Sequence, residues 1–145
     1  KYTDLDDING YGANNWIVLR YADVALMLAE VKMHLSENDA VSYLNMVRER
    51  AGLDDYSGSS LRDAILRERR VEFAFEGQRY WDLLRQGVGY AASQIAGTTS
   101  VVSGGNPEDV SITASNIIGK RGFSQIPNNQ IILSNGVLKQ NVGWY

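Results

Sequence analysis

The chain has 145 residues, of which 44% are hydrophobic and 21% are charged, and its formal net charge is −3. This length and composition are ordinary for one globular domain with its own core, and the net charge gives no electrostatic basis for nucleic-acid binding. The absence of cysteine excludes disulfides, thiolate zinc sites and a cysteine nucleophile.

The first part of the chain predicts a lead-in followed by an apolar helix. Residues 1–15 are polar and contain glycine, which indicates an irregular segment. Residues 20–35 have so broad an apolar surface that we expect their helix to lie between other helices. Asp23, Glu30 and His34 form its narrow polar strip. We interpret this strip as ion-paired or solvated rather than as metal ligands, because a single histidine makes histidine-based metal or triad chemistry hard to assemble.

Three further helices are predicted before the composition changes. The second helix ends before Gly52, which is a natural C-terminal stop. The third helix ends near residues 75–77, and a short fourth helix is closed by Gly87. The helical core of residues 16–87 is therefore expected to be two helical hairpins, with a period that resembles tetratricopeptide repeats.

Residues 61–87 are the most charged part of the chain, with six arginines and five acids. In a helical projection, the apolar face of the third helix consists of Leu61, Ala64, Ile65, Val71 and Phe75. Glu68 and Glu72 fall within that face and Glu76 lies at its edge, whereas the arginines at positions 62, 67, 69 and 70 fall on the other side. Carboxylates spaced by four residues repel one another, so this pattern predicts cations supplied from elsewhere in the fold.

Two interpretations of this carboxylate row are open. The first is a pair of acid/base carboxylates, as in glycoside hydrolysis, or a metal site. The second, which we favour, is an ion-paired contact between packed helices, because arginine is plentiful and the Asp/His clusters of metal sites are missing. We define the predicted ion-pair seam as Glu68, Glu72, Glu76, Arg48, Arg79 and Arg85. Under this interpretation the chain has no catalytic residue, no metal and no cofactor.

The remainder of the chain predicts a loosely structured region and a tail. Residues 88–119 carry only two charged residues among many Ser, Thr, Gly and Ala, which indicates a long irregular excursion with room for a small hairpin. Residues 120–145 regain apolar positions and contain a predicted helical turn at 128–132. We expect them to form an extended tail that docks on the helices.

The aromatic residues are candidates for sugar binding, which needs exposed rings beside amides and carboxylates. Trp81 stands beside two leucines and Trp16 begins an apolar run, so both are expected in the core. Tyr90, Trp144 and Tyr145 are less committed to packing and are the candidates to touch a ligand or partner.

Four blocks of the sequence resemble, in the same order, the C-terminal part of the SusD/RagB family. They are RYADVALMLAEVK, LNMVRERAGL, LRDAILRERRVEFAFEGQRYWDLLRQG and FSQIPNNQIILSNGVLKQNVGWY. The resemblance covers residues 16–145 apart from the 88–119 excursion. The chain departs from the family's pattern at Gln86, Gln125 and Val142, where the family has tryptophan or proline.

The resemblance implies an all-α, tetratricopeptide-like fold with a long irregular loop region and an extended C-terminal tail. Residues 1–145 would be a single domain, the C-terminal portion of a longer protein that is not an enzyme. That protein would capture an oligosaccharide or starch-like glycan at the extracellular face of the cell outer membrane for a SusC-like TonB-dependent transporter. Its membrane attachment would be an N-terminal lipid absent from this chain, and the family's glycan site would lie mostly upstream of this segment.

Two other functions stay open beside glycan capture. The chain could be a helical scaffold that contacts the transporter and holds no ligand site, which a large exposed apolar patch would favour. A glycosidase using Glu68 and Glu72 would require two carboxylates facing a cleft, at least one of them unpaired.

Overall fold

The structure is a computed structural model that describes residues 17–144. The predictions for the lead-in at 1–15, for Trp16 and for Tyr145 lie outside the described residues. Residues 17–144 contain these helices and strands: α1 (Tyr21–His34), α2 (Ala40–Arg50), α3 (Leu61–Glu72), α4 (Arg79–Arg85), α5 (Val88–Ile95), β1 (Gly97–Ser103), β2 (Asn106–Ile112), α6 (Ala114–Gly119) and α7 (Asn128–Leu133). They fall into two compact units, one ending at Ala74 and one beginning at Phe75. The single-domain organisation stays a prediction.

The first unit is built from α1, α2 and α3. Helix α1 packs against both of the others, and its small buried side chains allow the helices to approach closely. The core of this unit consists of Ala22, Ala25, Leu26, Ala29, Leu44, Val47, Ile65 and Phe73. These positions come from all three helices, so no helix of the unit buries its apolar face alone.

Helix α1 is apolar on two sides, and α2 and α3 cover only one of them. Large apolar side chains remain exposed along the other side, namely Tyr21, Met27, Leu28, Val31 and Leu35. The sequence predicted a helix placed between other helices, and within residues 17–144 the second set of neighbours is missing from this face. We call this surface the exposed α1 face.

The predicted apolar face of α3 is wrong at its C-terminal end. Val71 and Phe75 were expected to be buried, but both side chains are exposed, and Phe73 is buried instead. The helix ends at Glu72, and Phe75 has a positive φ of 67°. Beyond Glu72 the helical periodicity no longer applies, which accounts for the exposure of Phe75. Val71 lies within α3, and its exposure has no such explanation.

A lysine links the end of α1 to the turn before α2. The Lys32 ammonium donates hydrogen bonds to the carboxylates of Glu37 and Asp39, at 2.6 and 2.8 Å. These hydrogen bonds, the one to Asp39 contributing most, raise the pKa of Lys32 above its usual value. The lysine therefore stays charged, and the turn is held by both carboxylates.

The second unit corrects the all-α prediction and the irregular excursion. Residues 88–119 form α5, an antiparallel hairpin of β1 and β2, and α6. Gly104 and Gly105 make the hairpin turn, both with positive φ (58° and 87°), which is the backbone that two-residue turns require. Every residue of both strands is exposed. Strands of this kind need no alternation of apolar and polar residues, which is the pattern that marks a half-buried strand in a sequence, and the pattern is absent here.

Helices α4 and α5 supply the buried side chains of the second unit. Leu83, Ala91 and Ala92 are its buried apolar residues, and α5 packs against both α4 and α6.

None of the helices described for residues 17–144 has both the length and the hydrophobicity needed to cross a lipid bilayer. The described residues are mainly helical with one small sheet, and the tetratricopeptide-like arrangement of the helices stays a prediction.

The two sides of α1 predict different costs for the same substitution. Leu26 is 0% exposed and Leu35 is 63% exposed. We expect Leu26→Ala to lower the free energy of unfolding of this chain by about 2–5 kcal/mol, because it removes buried contacts and leaves a cavity. Leu35→Ala is the matched control and should change it by less than about 0.5 kcal/mol. Denaturant titration followed by circular dichroism measures both, and equal losses would contradict the burial described here.

Candidate functional site

A buried ion pair joins α1 to α3. Arg69 Nη1 lies 2.7 Å from Asp23 Oδ1, and their side chains are only 2% and 8% exposed. The helical projection placed Arg69 on the side away from the apolar face, and that placement is wrong. The guanidinium is tolerated in the core because Asp23 neutralises it there.

The ring of Phe73 contacts two arginines. The guanidinium carbon of Arg20 is 4.4 Å from the ring centroid, and that of Arg69 is 4.9 Å from it. Phe73 and Arg69 are both buried, so their cation–π contact is shielded from water, and such contacts are stronger when desolvated. The Phe73 side chain thus packs against both cations at the C-terminal end of α3.

The two glutamates of α3 are each held by arginines. Glu68 Oε2 lies 3.1 Å from Arg48 Nη1, and Arg48 Nε also donates to the backbone oxygen of Asp54 at 2.9 Å. Glu72 Oε1 accepts from Arg50 Nη2 at 2.6 Å and from Arg20 Nη1. Arg20 Nη2 donates in addition to the backbone oxygen of Glu72 at 2.6 Å.

The residues of the predicted ion-pair seam belong to both units, and the seam as a whole stays a prediction. Arg48 meets Glu68, whereas Glu76, Arg79 and Arg85 belong to the second unit, where Arg85 Nη1 lies 2.9 Å from Asp82 Oδ1.

Arg20 and Arg50, which hold Glu72, were missed by the sequence reasoning. Arg20 is the N-cap of α1, and Arg50 and Glu72 are the last residues of α2 and α3. Three helix ends therefore meet, and the only sequence signal for this is the location of the three residues at helix ends.

These pairs leave the α3 carboxylates without the freedom that catalysis needs. Glycoside hydrolysis requires one carboxyl group to protonate the leaving group and another to act as base or nucleophile. Both Glu68 and Glu72 accept from arginine, so neither is the unpaired carboxylate that such a site needs. Within the described part of the chain, no group of three or more His, Asp or Glu side chains is placed to hold a metal ion.

A separate feature lies in the second unit, where a surface cleft of about 350 Å³ opens. Helix α6, the end of β2, residues 122–125 and the C-terminal tail surround it. Its aromatic lining is Tyr80, Phe123 and Trp144, its polar lining is Ser111, Asn116, Ser124 and Gln125, and Lys120 is its charged residue. Aromatic rings beside amides and hydroxyls are the chemistry of a saccharide site.

The floor of the cleft depends on a glycine. Gly122 has a φ of +73°, and a Cβ atom there would come within 2.5 Å of Leu84 Cδ2. The Tyr80 hydroxyl donates to the backbone oxygen of Gly122. The absence of a side chain therefore lets residues 122–125 lie directly on α4.

The C-terminal tail closes one side of the cleft by pairing its side chains with the backbone of residues 123–126. Gln140 accepts from the N–H of Ile126 at 2.8 Å and donates to its oxygen at 2.9 Å. Asn141 Nδ2 donates to the oxygen of Ser124 at 2.7 Å, and Trp144 Nε1 donates to that of Phe123 at 2.8 Å. The tail was predicted to dock on the helices, and these bonds tie it to an extended segment of its own unit.

Lys120 and Trp144 meet at the edge of the cleft. The ammonium of Lys120 lies 3.5 Å from the centroid of the Trp144 ring, a cation–π contact. Gly143 permits this approach, since a Cβ atom on it would lie 2.9 Å from Lys120 Cγ and 3.1 Å from the oxygen of Gly119. Both the lysine and the indole ring are thereby held in defined positions.

The predicted locations of the aromatic side chains are partly wrong. Trp81 was expected in the core, but it is 66% exposed and makes an edge contact with Tyr80. The physical reason is that α4 has only seven residues and turns Leu83 inward. Trp144 lines the cleft, whereas Tyr90 does not. The sequence reasoning missed Phe123, because nothing local indicates that its loop would line a concavity.

Removing the charge of Asp23 tests the buried pair. We expect Asp23→Asn to lower the free energy of unfolding by about 3–5 kcal/mol, because it removes the carboxylate that lies 2.7 Å from the buried guanidinium of Arg69. Asp55→Asn, at an exposed position, is the control and should have little effect. Chemical denaturation measures all variants, and the double variant Asp23→Leu/Arg69→Met should recover most of the loss. An unchanged midpoint for Asp23→Asn would contradict this account.

The chain is similar in sequence to proteins of one known family. The family model of the SusD family matches residues 1–144. SusD-like protein P2 of Formosa agariphila is 38% identical over 105 residues, which cover 61% of this chain and 20% of that protein. A SusD-like protein of Bacteroides ovatus is 40% identical over 74 residues, which cover 48% of this chain and 13% of that protein.

A solved structure agrees with these sequence matches. The crystal structure of a SusD-like protein from Bacteroides fragilis superposes with a TM-score of 0.64 at 32% sequence identity. The match covers 90% of this chain and 26% of that structure. The chain thus corresponds to about a quarter of the solved protein, and its matches span a fifth or less of these two curated relatives.

Proposed function

Because this chain belongs to the SusD family, we propose that it is the C-terminal part of a longer, non-catalytic glycan-capture protein. The longer protein would sit at the extracellular face of the outer membrane through an N-terminal lipid. There it would bind oligosaccharides of a polysaccharide-utilisation system and deliver them to a SusC-like TonB-dependent transporter. The observation that carries this proposal is the family match over residues 1–144 together with the ordered sequence blocks that resemble the family.

The site geometry supports the non-catalytic part of the proposal. Glu68 and Glu72 are the carboxylates that a glycosidase would have used, and both are engaged by arginines that hold helix ends together. A glycosidase needs at least one carboxylate that faces its substrate without an arginine partner, and neither glutamate meets that requirement. The pairs therefore favour a structural role, and we propose that they act as an ion-pair seam within the first unit.

Binding and hydrolysis can be measured on the same preparation. We expect the full-length protein to be retarded in native gels that contain its polysaccharide, and to release no reducing ends from it over prolonged incubation. Glu68→Gln and Glu72→Gln variants should retain binding wherever they remain folded. Release of reducing ends by the wild type that either variant abolishes would overturn the proposal in favour of a glycosidase.

The exposed α1 face supports a second proposal, on where the rest of the protein lies. Its apolar side chains form one continuous stripe beside the exposed Ile17, Val18 and Leu19. Relatives are several times longer than this chain, so most of a comparable protein lies outside it. We propose that upstream helices of the same polypeptide pack on this face, since burying an apolar stripe is the principal stabilising contribution to helix packing. The alternative occupant is the transporter, in which case the chain acts as an interaction scaffold.

A charged substitution on the exposed α1 face separates these occupants. In the full-length protein, Val31→Asp should lower the free energy of unfolding by more than about 2 kcal/mol, because the carboxylate would be buried without a partner. Val137→Asp, at another exposed valine, is the matched control and should be neutral. Denaturation and co-purification with the transporter are both measured. Normal stability combined with loss of the transporter would replace the upstream-packing proposal with the scaffold alternative.

A further inference from the structure

We infer that the cleft of the second unit is an accessory binding site for an anionic saccharide, one that carries a carboxylate or a sulfate. Lys120 would pair with the anionic group, the rings of Phe123 and Trp144 would contact the sugar ring, and Asn116 and Gln125 would bind its hydroxyls. This inference rests on the proposed function, and it assigns a ligand contact to a part of the chain where the family resemblance led us to expect none or only part of the site.

The charge of the cleft favours an anion. Lys120 is the charged residue of its lining, and the lining contains no Asp or Glu. Among the described residues, no carboxylate lies within ion-pair distance of Lys120, whose ammonium instead rests over the Trp144 ring. A cation without a counter-ion beside a concavity attracts a negatively charged ligand, and the protein's net charge of −3 makes this local positive charge stand out.

The aromatic side chains provide a surface for a sugar ring. Phe123 is 56% exposed although it lies in a segment tied down on both sides. The ring of Trp144 is fixed by the hydrogen bond from Nε1 to the Phe123 oxygen and by Lys120. The Trp144 ring, held in this way, loses little conformational entropy when a ligand packs against it, so it is suited to binding.

The polar side chains of the cleft retain hydrogen-bonding capacity. Within residues 17–144, the side-chain amides of Asn116 and Gln125 make no hydrogen bond, and both residues are exposed. The Ser111 hydroxyl accepts from Thr98 at 3.2 Å, which leaves its own proton free to be donated. Amide donors and acceptors beside aromatic rings match the alternating donors and acceptors of sugar hydroxyls.

The framework of the cleft is preorganised. Gly122 and Gly143 allow contacts that any side chain at either position would block, and Gln140 pairs with both backbone groups of Ile126. The cleft therefore does not need to form when ligand arrives, which lowers the entropic cost of binding. The exposed α1 face, by contrast, is a continuous apolar stripe with the chemistry of a packing surface.

The test uses the full-length protein and three probes: an oligogalacturonate, a sulfated oligosaccharide and a neutral glucose oligomer of equal length. Binding is measured by isothermal titration calorimetry, and hydrogen–deuterium exchange of residues 111–125 reports whether the cleft is occupied. We expect an anionic probe to bind more tightly than the neutral one, to protect these residues, and to weaken as salt increases. The anionic probe with the higher affinity identifies the ligand as carboxylated or sulfated.

Variants locate the binding. Lys120→Gln should weaken binding of the anionic probe by about tenfold, because a charge-assisted hydrogen bond is lost, and Phe123→Ala should weaken binding of every probe that binds. Lys139→Gln, an exposed lysine of the same unit outside the cleft lining, is the matched control and should bind as the wild type does. Thermal unfolding midpoints within experimental error of the wild type establish that the variants fold.

The outcomes separate this inference from the proposed function. Suppose that saccharide binding is unchanged in Lys120→Gln and Phe123→Ala and that residues 111–125 are not protected. This result would overturn the assignment of the cleft as a binding site and would leave the proposed function intact. Equal affinity for neutral and anionic probes would overturn the assignment of an anionic ligand. A full-length protein that binds no saccharide or polysaccharide at all would overturn the proposed function itself.

Discussion

A guanidinium can be buried only if a counter-ion is buried with it, and the first unit is arranged around that requirement at Arg69. Asp23 meets Arg69 from another helix, and Phe73 packs against its charge, so the pair fixes how α1 and α3 cross. Arg20 also packs against this ring, with Glu72 as its partner. Moving either helix would separate a buried charge from its partner, which makes this arrangement specific as well as stable.

The second unit is held by a different kind of constraint. It has few buried apolar side chains, and much of its order comes from side chains of the tail that bond to backbone groups of residues 123–126. These bonds satisfy the backbone of an extended segment that has no strand partner there. Glycines at 122 and 143 make the close approaches possible. The cleft opens beside this segment and the tail.

This division assigns different roles to the charged and aromatic residues. In the arginine-rich stretch, Glu68, Glu72 and Arg69 pair with charged residues of α1 and α2. The residues with unused binding capacity lie in the part of the chain with few charges. The chain belongs to the SusD family. Its exposed α1 face is consistent with a chain that corresponds to a minor part of its relatives.

The sequence by itself determined the helices of residues 20–87 to within a few positions and the family, because periodicity, N-caps and helix-ending glycines act locally. It did not identify which arginine is buried, since Asp23 and Arg69 lie 46 residues apart and meet only when α1 and α3 pack. The hairpin was only partly visible, because exposed strands need no apolar alternation. The cleft was decided by tertiary structure alone, since its rings, amides and lysine come from α4, the end of α6, residues 122–125 and the tail, which only folding brings together.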